Sequence, residues 1–149
     1  MQHPTNPVRE TRPQPLIALA IVTLTLTTAY IHLSLGGLLF TLNAIGYVAL
    51  AASIVVIATV AHPLVRRFDW LPRVGLAGYT ATTIGAYLVM GPYFSLGWMA
   101  KAIEVVILAL LLVDVLRAFG SPAGFMRTAL ASVGIGRRSQ AVGLPDLTT

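Results

Sequence analysis

Four long apolar segments constrain this chain more than any other feature of its sequence. They cover approximately residues 16–35, 38–62, 74–90 and 96–119. Only 10% of the 149 residues are charged, whereas soluble domains carry about 25%. A helix of about 20 apolar residues spans the hydrocarbon core of a bilayer. The sequence therefore predicts an all-α integral membrane protein, a four-helix bundle in one domain that covers residues 16–119.

The first two segments are predicted to form a helical hairpin. Its tip lies within YIHLSLGGLLFTLNAIGY (Tyr30–Tyr47), where Gly36 and Gly37 mark the turn. The alternative is that the first segment is a signal peptide. That segment is longer than the 7–15 apolar residues, roughly, of a signal peptide, and Thr27-Thr28-Ala29 is a poor cleavage site. A retained helix is therefore the prediction.

Both ends of the chain are predicted to be cytoplasmic tails. Residues 1–15 are polar and rich in proline, which prevents a regular helix, so disorder is expected there. Residues 120–149 are predicted to hold a short interfacial helix, with Phe125 and Ala129 on its apolar face, followed by disorder.

The basic residues predict the orientation of the bundle. Apart from Lys101, they lie in the two tails, at the end of the fourth segment, and in the loop between the second and third segments. Cytoplasmic loops of membrane proteins carry the excess of Lys and Arg. The prediction is an up-down-up-down bundle in the cell membrane, with both termini cytoplasmic. Topology also explains the net charge of +5, so no nucleic-acid partner is expected.

Four polar residues near the outer end of the bundle form the candidate ligand or proton site. They are His32, Asn43, Lys101 and Glu104, which a rise of about 1.5 Å per residue brings to one level. We expect Glu104 to accept hydrogen bonds from Lys101 and from His32 or Asn43. The structural alternatives are a clasp between helices, or a local Lys101–Glu104 pair with the lysine reaching the interface.

Small residues and the remaining charges have structural interpretations. Gly46, Gly75, Gly78 and Gly85 are predicted to pack helices closely. Asp114 and Arg117 are spaced to form an ion pair near the cytoplasmic end. His62 is predicted to cap the second helix at its C-terminus.

Three functions remain open. The first is a non-catalytic accessory or assembly subunit, or a self-associating bundle, whose partners are the bilayer and a homo-oligomer or larger membrane complex. It rests on the lack of HExxH, GxSxG and phosphate-loop motifs. The second is a carrier or proton-coupled binder that uses the polar site.

The third function is a membrane haem protein or enzyme. His62 lies at the opposite end of its helix from His32, and His3 lies in the tail, which argues against bis-histidine haem. The absence of cysteine excludes thiol catalysis and disulfides. No catalytic residue and no metal ligand is assigned, and the cofactor is unknown.

Overall fold

A computed structural model describes residues 15–91 and 93–134 of the chain. This part contains six helices and no strand, which confirms the all-α prediction. The helices are α1 (Pro15–Leu35), α2 (Leu38–Thr59), α3 (Pro63–Arg67), α4 (Trp70–Met90), α5 (Ser95–Phe119) and α6 (Pro122–Ser132). The disorder predicted for the two tails falls on residues 1–14 and 135–149, outside the described residues.

The turn between α1 and α2 lies where the sequence predicts it. Gly36 and Gly37 have φ values of 71° and 84°. Only glycine adopts positive φ without steric cost, so this pair allows the chain to reverse between two apolar helices. The short connection holds the end of α1 beside the start of α2.

The connection between α2 and α4 differs from the prediction. The helix α2 ends at Thr59 instead of residue 62, and the short helix α3 follows. The Nδ1 atom of His62 accepts a 3.2 Å hydrogen bond from the backbone N–H of Leu64. His62 is therefore the N-cap of α3, and its predicted role at the end of the second helix is wrong. Pro63 favours this start because its fixed φ suits the first helical position.

The helix α4 begins at Trp70, four residues before the predicted start at 74. Pro72 lies in its first turn, where a missing N–H costs no helical hydrogen bond. This extension places Arg73 within a helix, although the sequence assigned it to a loop.

The four long helices form a closed ring of contacts. The helices α1 and α4 each contact both α2 and α5. Buried positions recur along each long helix in steps of three and four residues. They include Ile21, Thr25, Thr28 and His32 in α1; Ala44, Tyr47, Ala51 and Ile54 in α2; Arg73, Leu76, Thr80 and Thr83 in α4; and Lys101, Glu104, Ile107, Leu111 and Asp114 in α5. One narrow stripe of each helix thus faces the interior.

Polar side chains are unusually frequent in that interior, whereas the surface is rich in large apolar ones. The buried polar residues are Thr25, Thr28, His32, Arg73, Thr80, Thr83, Lys101, Glu104, Asp114 and Ser132. Exposed apolar residues occur on every long helix, and examples are Leu19, Leu26, Leu42, Ile45, Val56, Leu88, Val105, Val106 and Leu112. The interior also holds apolar residues such as Tyr47, Leu76 and Ile107, so charged and apolar side chains share it, whereas charged residues are rarely buried in soluble proteins.

The helix α6 packs back against the α3–α4 junction. Gly120, with φ of 74°, ends α5, and the Ser121 hydroxyl oxygen then accepts from the Gly124 N–H at 3.0 Å. The Trp70 indole N–H donates to Ser132 Oγ at 2.9 Å. A short helix is therefore present in the segment 120–149, where the sequence predicts one.

The four glycines predicted to pack helices fall into two groups. A Cβ at Gly46 would overlap the Tyr79 ring, and a Cβ at Gly75 would lie 3.3 Å from Leu50. A Cβ at Gly78 or Gly85 would meet no atom within 4 Å. Within the described chain, the contacts predicted for Gly78 and Gly85 are thus absent, because the inward face of α4 carries Thr80 and Thr83 instead.

Candidate functional site

The carboxylate of Glu104 is the centre of a buried polar cluster. Its Oε2 atom accepts hydrogen bonds from Lys101 Nζ at 2.6 Å and from Thr83 Oγ1 at 3.0 Å. Its Oε1 atom lies 3.8 Å from His32 Nε2 and has no hydrogen-bond partner. Glu104 is fully buried. Three helices, α1, α4 and α5, thus bring their polar side chains to one carboxylate.

Lys101 is one helical turn from Glu104 and is held from two sides. It is 6% exposed, and its Nζ atom lies 5.6 Å from the centre of the Tyr87 ring as well as beside Glu104. An aromatic face attracts an ammonium group. The lysine therefore lies within the bundle, and the positive charge neutralises the buried carboxylate.

His32 is held by a hydrogen bond from one ring nitrogen and by two aromatic neighbours. Its Nδ1 atom is 2.8 Å from the backbone oxygen of Thr28, one turn earlier in α1. Its ring centroid lies 5.5 Å from that of Tyr47 and 6.3 Å from that of Phe40. These contacts aim Nε2 at Glu104. Haem ligation by this nitrogen would require the contact with Glu104 to break.

Two hydroxyl groups extend the cluster to α2. The hydroxyl oxygens of Tyr47 and Thr83 lie 2.7 Å apart, and Thr83 Oγ1 is also 2.9 Å from the Thr80 carbonyl. Because each hydroxyl has one hydrogen, Tyr47 can donate to Thr83 while Thr83 donates to Glu104. A hydrogen-bonded path then leads from Tyr47 to the carboxylate.

Asn43 lies outside this network. Of the two alternatives, His32 or Asn43, only His32 lies beside Glu104, at 3.8 Å and without a hydrogen bond. It is half-buried, and its Oδ1 accepts a 2.6 Å hydrogen bond from the Tyr79 hydroxyl. Tyr79 packs edge-on against Tyr47, with ring centroids 5.0 Å apart. Asn43 therefore joins α2 to α4, and it supports the cluster only through Tyr47.

A second charged cluster lies at the other end of the bundle. Arg73 Nε donates to Asp114 Oδ2 at 2.7 Å, and Arg73 Nη1 donates to the Asp69 backbone oxygen at 2.6 Å. The Asp69 carboxylate is 3.6 Å from Arg73. Burial raises the pKa of Asp69 above its usual range, and the smaller effect of Arg73 opposes this shift. The hydrogen-bond partner shown for Asp114 is thus Arg73, whereas the sequence predicted Arg117.

Sequence reasoning missed Tyr47, Arg73 and Thr83 as members of these clusters. The sequence contained a signal for the inward face of α4. The residues Arg73, Leu76, Thr80 and Thr83 are spaced by three or four positions, as are the residues of the stripes that contain His32 and Glu104. A stripe of this kind on every helix marks the inward faces. The packing face predicted from Gly78 and Gly85 lies on the opposite side of α4.

In the part of the chain that the structure describes, no three His, Cys, Asp or Glu side chains converge to hold a metal ion. No family model matches the sequence, and no characterised protein or solved structure matches it either.

Proposed function

We propose that the protein is a multi-pass integral membrane protein that acts by binding at the Glu104 cluster, without catalysis. Its spans are α1, α2, α4 and α5. The observation that carries the membrane assignment is the combination of charged groups in the interior with many leucine and valine side chains on the surface. Apolar surface of this extent is solvated by lipid but associates in water.

Two of the four proposed spans, α4 and α5, are more polar than the other two. By length and composition, α1 and α2 are apolar enough to cross a membrane, whereas α4 and α5 carry more polar and charged residues. In α5, Lys101, Glu104 and Asp114 are all buried and paired. Charges in membrane helices normally face the bundle interior and pair there. The lipid-facing surface of α5 then consists of residues such as Val105, Val106 and Leu112.

The distribution of arginine supports the proposed orientation. Arg66 and Arg67 lie in α3, Arg117 lies in the last turn of α5, and Arg127 lies in α6. The connection through Gly36 and Gly37 carries no charge. Arginine-rich ends face the cytoplasm, so the up-down-up-down arrangement has both termini there and the Glu104 cluster nearer the outer side.

A binding role is supported by the unpartnered Oε1 atom of Glu104. A buried polar atom without a partner costs about 1–3 kcal/mol. A cluster that only joins helices would be more stable without an unpaired atom. A site that receives a hydrogen-bond donor from outside requires a free acceptor. The Thr28 and Thr80 hydroxyl oxygens are also buried and unpartnered, which makes this end of the interior unusually rich in unused acceptors.

Cysteine labelling tests the membrane arrangement directly, because the natural chain has no cysteine. Tyr93→Cys is expected to react with an impermeant maleimide added outside intact cells. Met126→Cys in α6 is expected to react only after the membrane is opened, and Val106→Cys in α5 is expected to stay unlabelled in both conditions. Labelling of Met126→Cys from outside would overturn the topology.

The accessory-subunit function is the second candidate, since an extended apolar surface also suits a partner helix. The two functions differ in their dependence on Glu104. An accessory role predicts a stoichiometric partner that co-purifies equally with the wild type and with Glu104→Gln. A binding role predicts that Glu104→Gln loses function while the labelling pattern is kept.

A further inference from the structure

The hydrogen on the His32 ring can be placed from its contacts. Nδ1 lies 2.8 Å from the Thr28 carbonyl oxygen. A carbonyl oxygen only accepts, so Nδ1 carries a hydrogen and donates. In a neutral imidazole with this tautomer, Nε2 has a lone pair and no hydrogen. The nitrogen that faces Glu104 is then an acceptor.

The atom opposite His32 Nε2 is an acceptor too. Glu104 Oε1 lies 3.8 Å away, while both donors to this carboxylate, from Lys101 and Thr83, go to Oε2. Two acceptors therefore face each other with no hydrogen between them. Glu104 Oε1 is buried and carries the cost of an unpaired polar atom, and one hydrogen placed between it and His32 Nε2 gives it a partner.

We propose that the ligand of the Glu104 cluster is a proton, bound on Nε2 of His32 and facing Oε1 of Glu104. This inference rests on the function proposed above and names its ligand. The proton comes from water on the outer side, and it forms a new N–H bond without breaking any other bond in the protein. The resulting imidazolium donates a charge-assisted hydrogen bond to the carboxylate.

The groups around His32 set the affinity for this proton. On α5, the negative charge of Glu104 favours protonation and the positive charge of Lys101 opposes it. The helix α2 contributes the Tyr47 phenol, and α4 contributes the Thr83 hydroxyl, next to Tyr47. On its own helix, His32 faces the Thr28 carbonyl, whose oxygen stabilises the donating Nδ1–H.

The site lies close to the outer end of α1. His32 lies three residues before the end of α1 at Leu35, which is about 4.5 Å along a helix. The next residues, Gly36 and Gly37, have open space where a side chain would begin. The ring of His32 therefore lies within one helical turn of the outer end of α1.

Binding of the proton changes the distance between His32 Nε2 on α1 and Glu104 Oε1 on α5. A hydrogen bond between a cationic nitrogen and a carboxylate is about 2.7–2.9 Å long, while the present separation of Nε2 and Oε1 is 3.8 Å. Protonation therefore shortens the contact between these two side chains, and loss of the proton lengthens it.

Nitrogen NMR of the histidine ring tests the proposal on the full chain in lipid nanodiscs. His3→Gln and His62→Gln leave His32 as the only histidine. At alkaline pH we expect a neutral ring with hydrogen on Nδ1, and at acidic pH a doubly protonated ring with a short hydrogen bond from Nε2. Glu104→Gln is expected to lower the ratio of charged to neutral ring at fixed pH by about tenfold or more.

Two further variants make the result specific. Lys101→Met removes the opposing charge, so the same ratio is expected to rise. Arg127→Met is the control, because it removes an exposed charge on α6, at the opposite end of the bundle from Glu104, and the ratio is expected to stay within twofold. A neutral ring with hydrogen on Nε2, a ring that stays neutral down to pH 4, or an unchanged ratio in Glu104→Gln would each overturn the proton site. Labelling of Tyr93→Cys and Met126→Cys in intact cells, each combined with Glu104→Gln, reports separately on the membrane arrangement.

Discussion

Arg73 in α4 and Asp114 in α5 form a buried ion pair, with Nε and Oδ2 2.7 Å apart. Arg73 is 4% exposed and Asp114 is 7% exposed. The guanidinium group also lies over the Phe119 ring, 5.7 Å from its centroid. This pair joins the two helices at the end of the bundle opposite Glu104, so each end of the α4–α5 contact contains one buried charged cluster.

Removal of one member of this pair is expected to destabilise the bundle strongly. Arg73→Met leaves the Asp114 carboxylate buried without its cation, which costs about 3–5 kcal/mol. The measurement is reversible unfolding in mixed micelles, where the free energy of unfolding is compared with that of the wild type. Arg127→Met is the control, because Arg127 is exposed on α6, and it is expected to change stability by less than about 0.5 kcal/mol.

The double variant Arg73→Met/Asp114→Leu distinguishes a lost charge partner from lost packing. It removes both charges, and replacement of a buried ion pair by apolar side chains is often neutral or stabilising. We therefore expect it to regain most of the stability lost in Arg73→Met. A double variant as unstable as the single one would show that the arginine acts through its shape.

Much of the fold follows from the sequence because apolar length and glycine positions act locally. The helices near 16–35 and 96–119 and the turn at Gly36 and Gly37 were predicted within one residue. The short helix α3 was missed, since its N-cap is a histidine side chain and its five residues carry no periodic pattern.

The polar site could be predicted only in part. The apolar surroundings of His32, Lys101 and Glu104 in the sequence indicated that they need polar partners, and the structure places them together. The contact of Thr83, instead of Asn43, with Glu104 depends on the rotation of α4. That rotation follows from packing against two neighbours at once, which a single segment does not reveal.

Gly46 and Gly78 give a matched test of helix packing. A Cβ at Gly46 would overlap the Tyr79 side chain, which bonds Asn43, so Gly46→Ala is expected to cost about 1–3 kcal/mol through overpacking. A Cβ at Gly78 has open space, so Gly78→Ala is expected to gain up to about 1 kcal/mol from helix propensity.

The glycine measurement is thermal unfolding of both variants in the same detergent. The expected order of stability is Gly78→Ala, then wild type, then Gly46→Ala. A destabilised Gly78→Ala would mean that this face contacts another helix, which would have to belong to a second chain. The close helix packing predicted for Gly78 from the sequence would then be correct.

Asp69 gives a prediction for the effect of pH. Burial raises its pKa above the ordinary 3.8, so the folded state holds this proton more tightly than the unfolded state. Stability contributed by the protonated form is complete below the unfolded pKa and is lost as pH rises through the folded value. Asp69→Asn is therefore expected to be more stable than the wild type at pH 7, with the difference vanishing near pH 3.5.

The measurement is the unfolding midpoint of the wild type and of Asp69→Asn between about pH 3.5 and pH 7. The Asp69 side chain makes no capping hydrogen bond to α4, so the substitution changes the charge and leaves the start of α4 intact. A difference that stays constant with pH would show that the carboxylate charge is not its cause.

The contact between α6 and the bundle depends on Ser132. Its hydroxyl oxygen accepts from the Trp70 indole at 2.9 Å, while its backbone oxygen accepts from Arg67 Nε at 2.8 Å. Ser132→Ala removes the first bond and keeps the second. We expect it to weaken the docking of α6 by about 0.5–1.5 kcal/mol, so that α6 separates from α4 more often.

Fluorescence quenching measures this separation. The chain has two tryptophans, so Trp98→Phe leaves Trp70 as the only indole. Ser132→Ala is expected to increase quenching of Trp70 by a water-soluble agent, and Ser132→Thr, which keeps the hydroxyl, is expected to change it little. Thr128→Ala is the control, because the Thr128 hydroxyl bonds only the Gly124 carbonyl within α6. Equal quenching in Ser132→Ala and Thr128→Ala would mean that the arginine bond alone holds α6, since the loss of the indole bond then has no effect on its position.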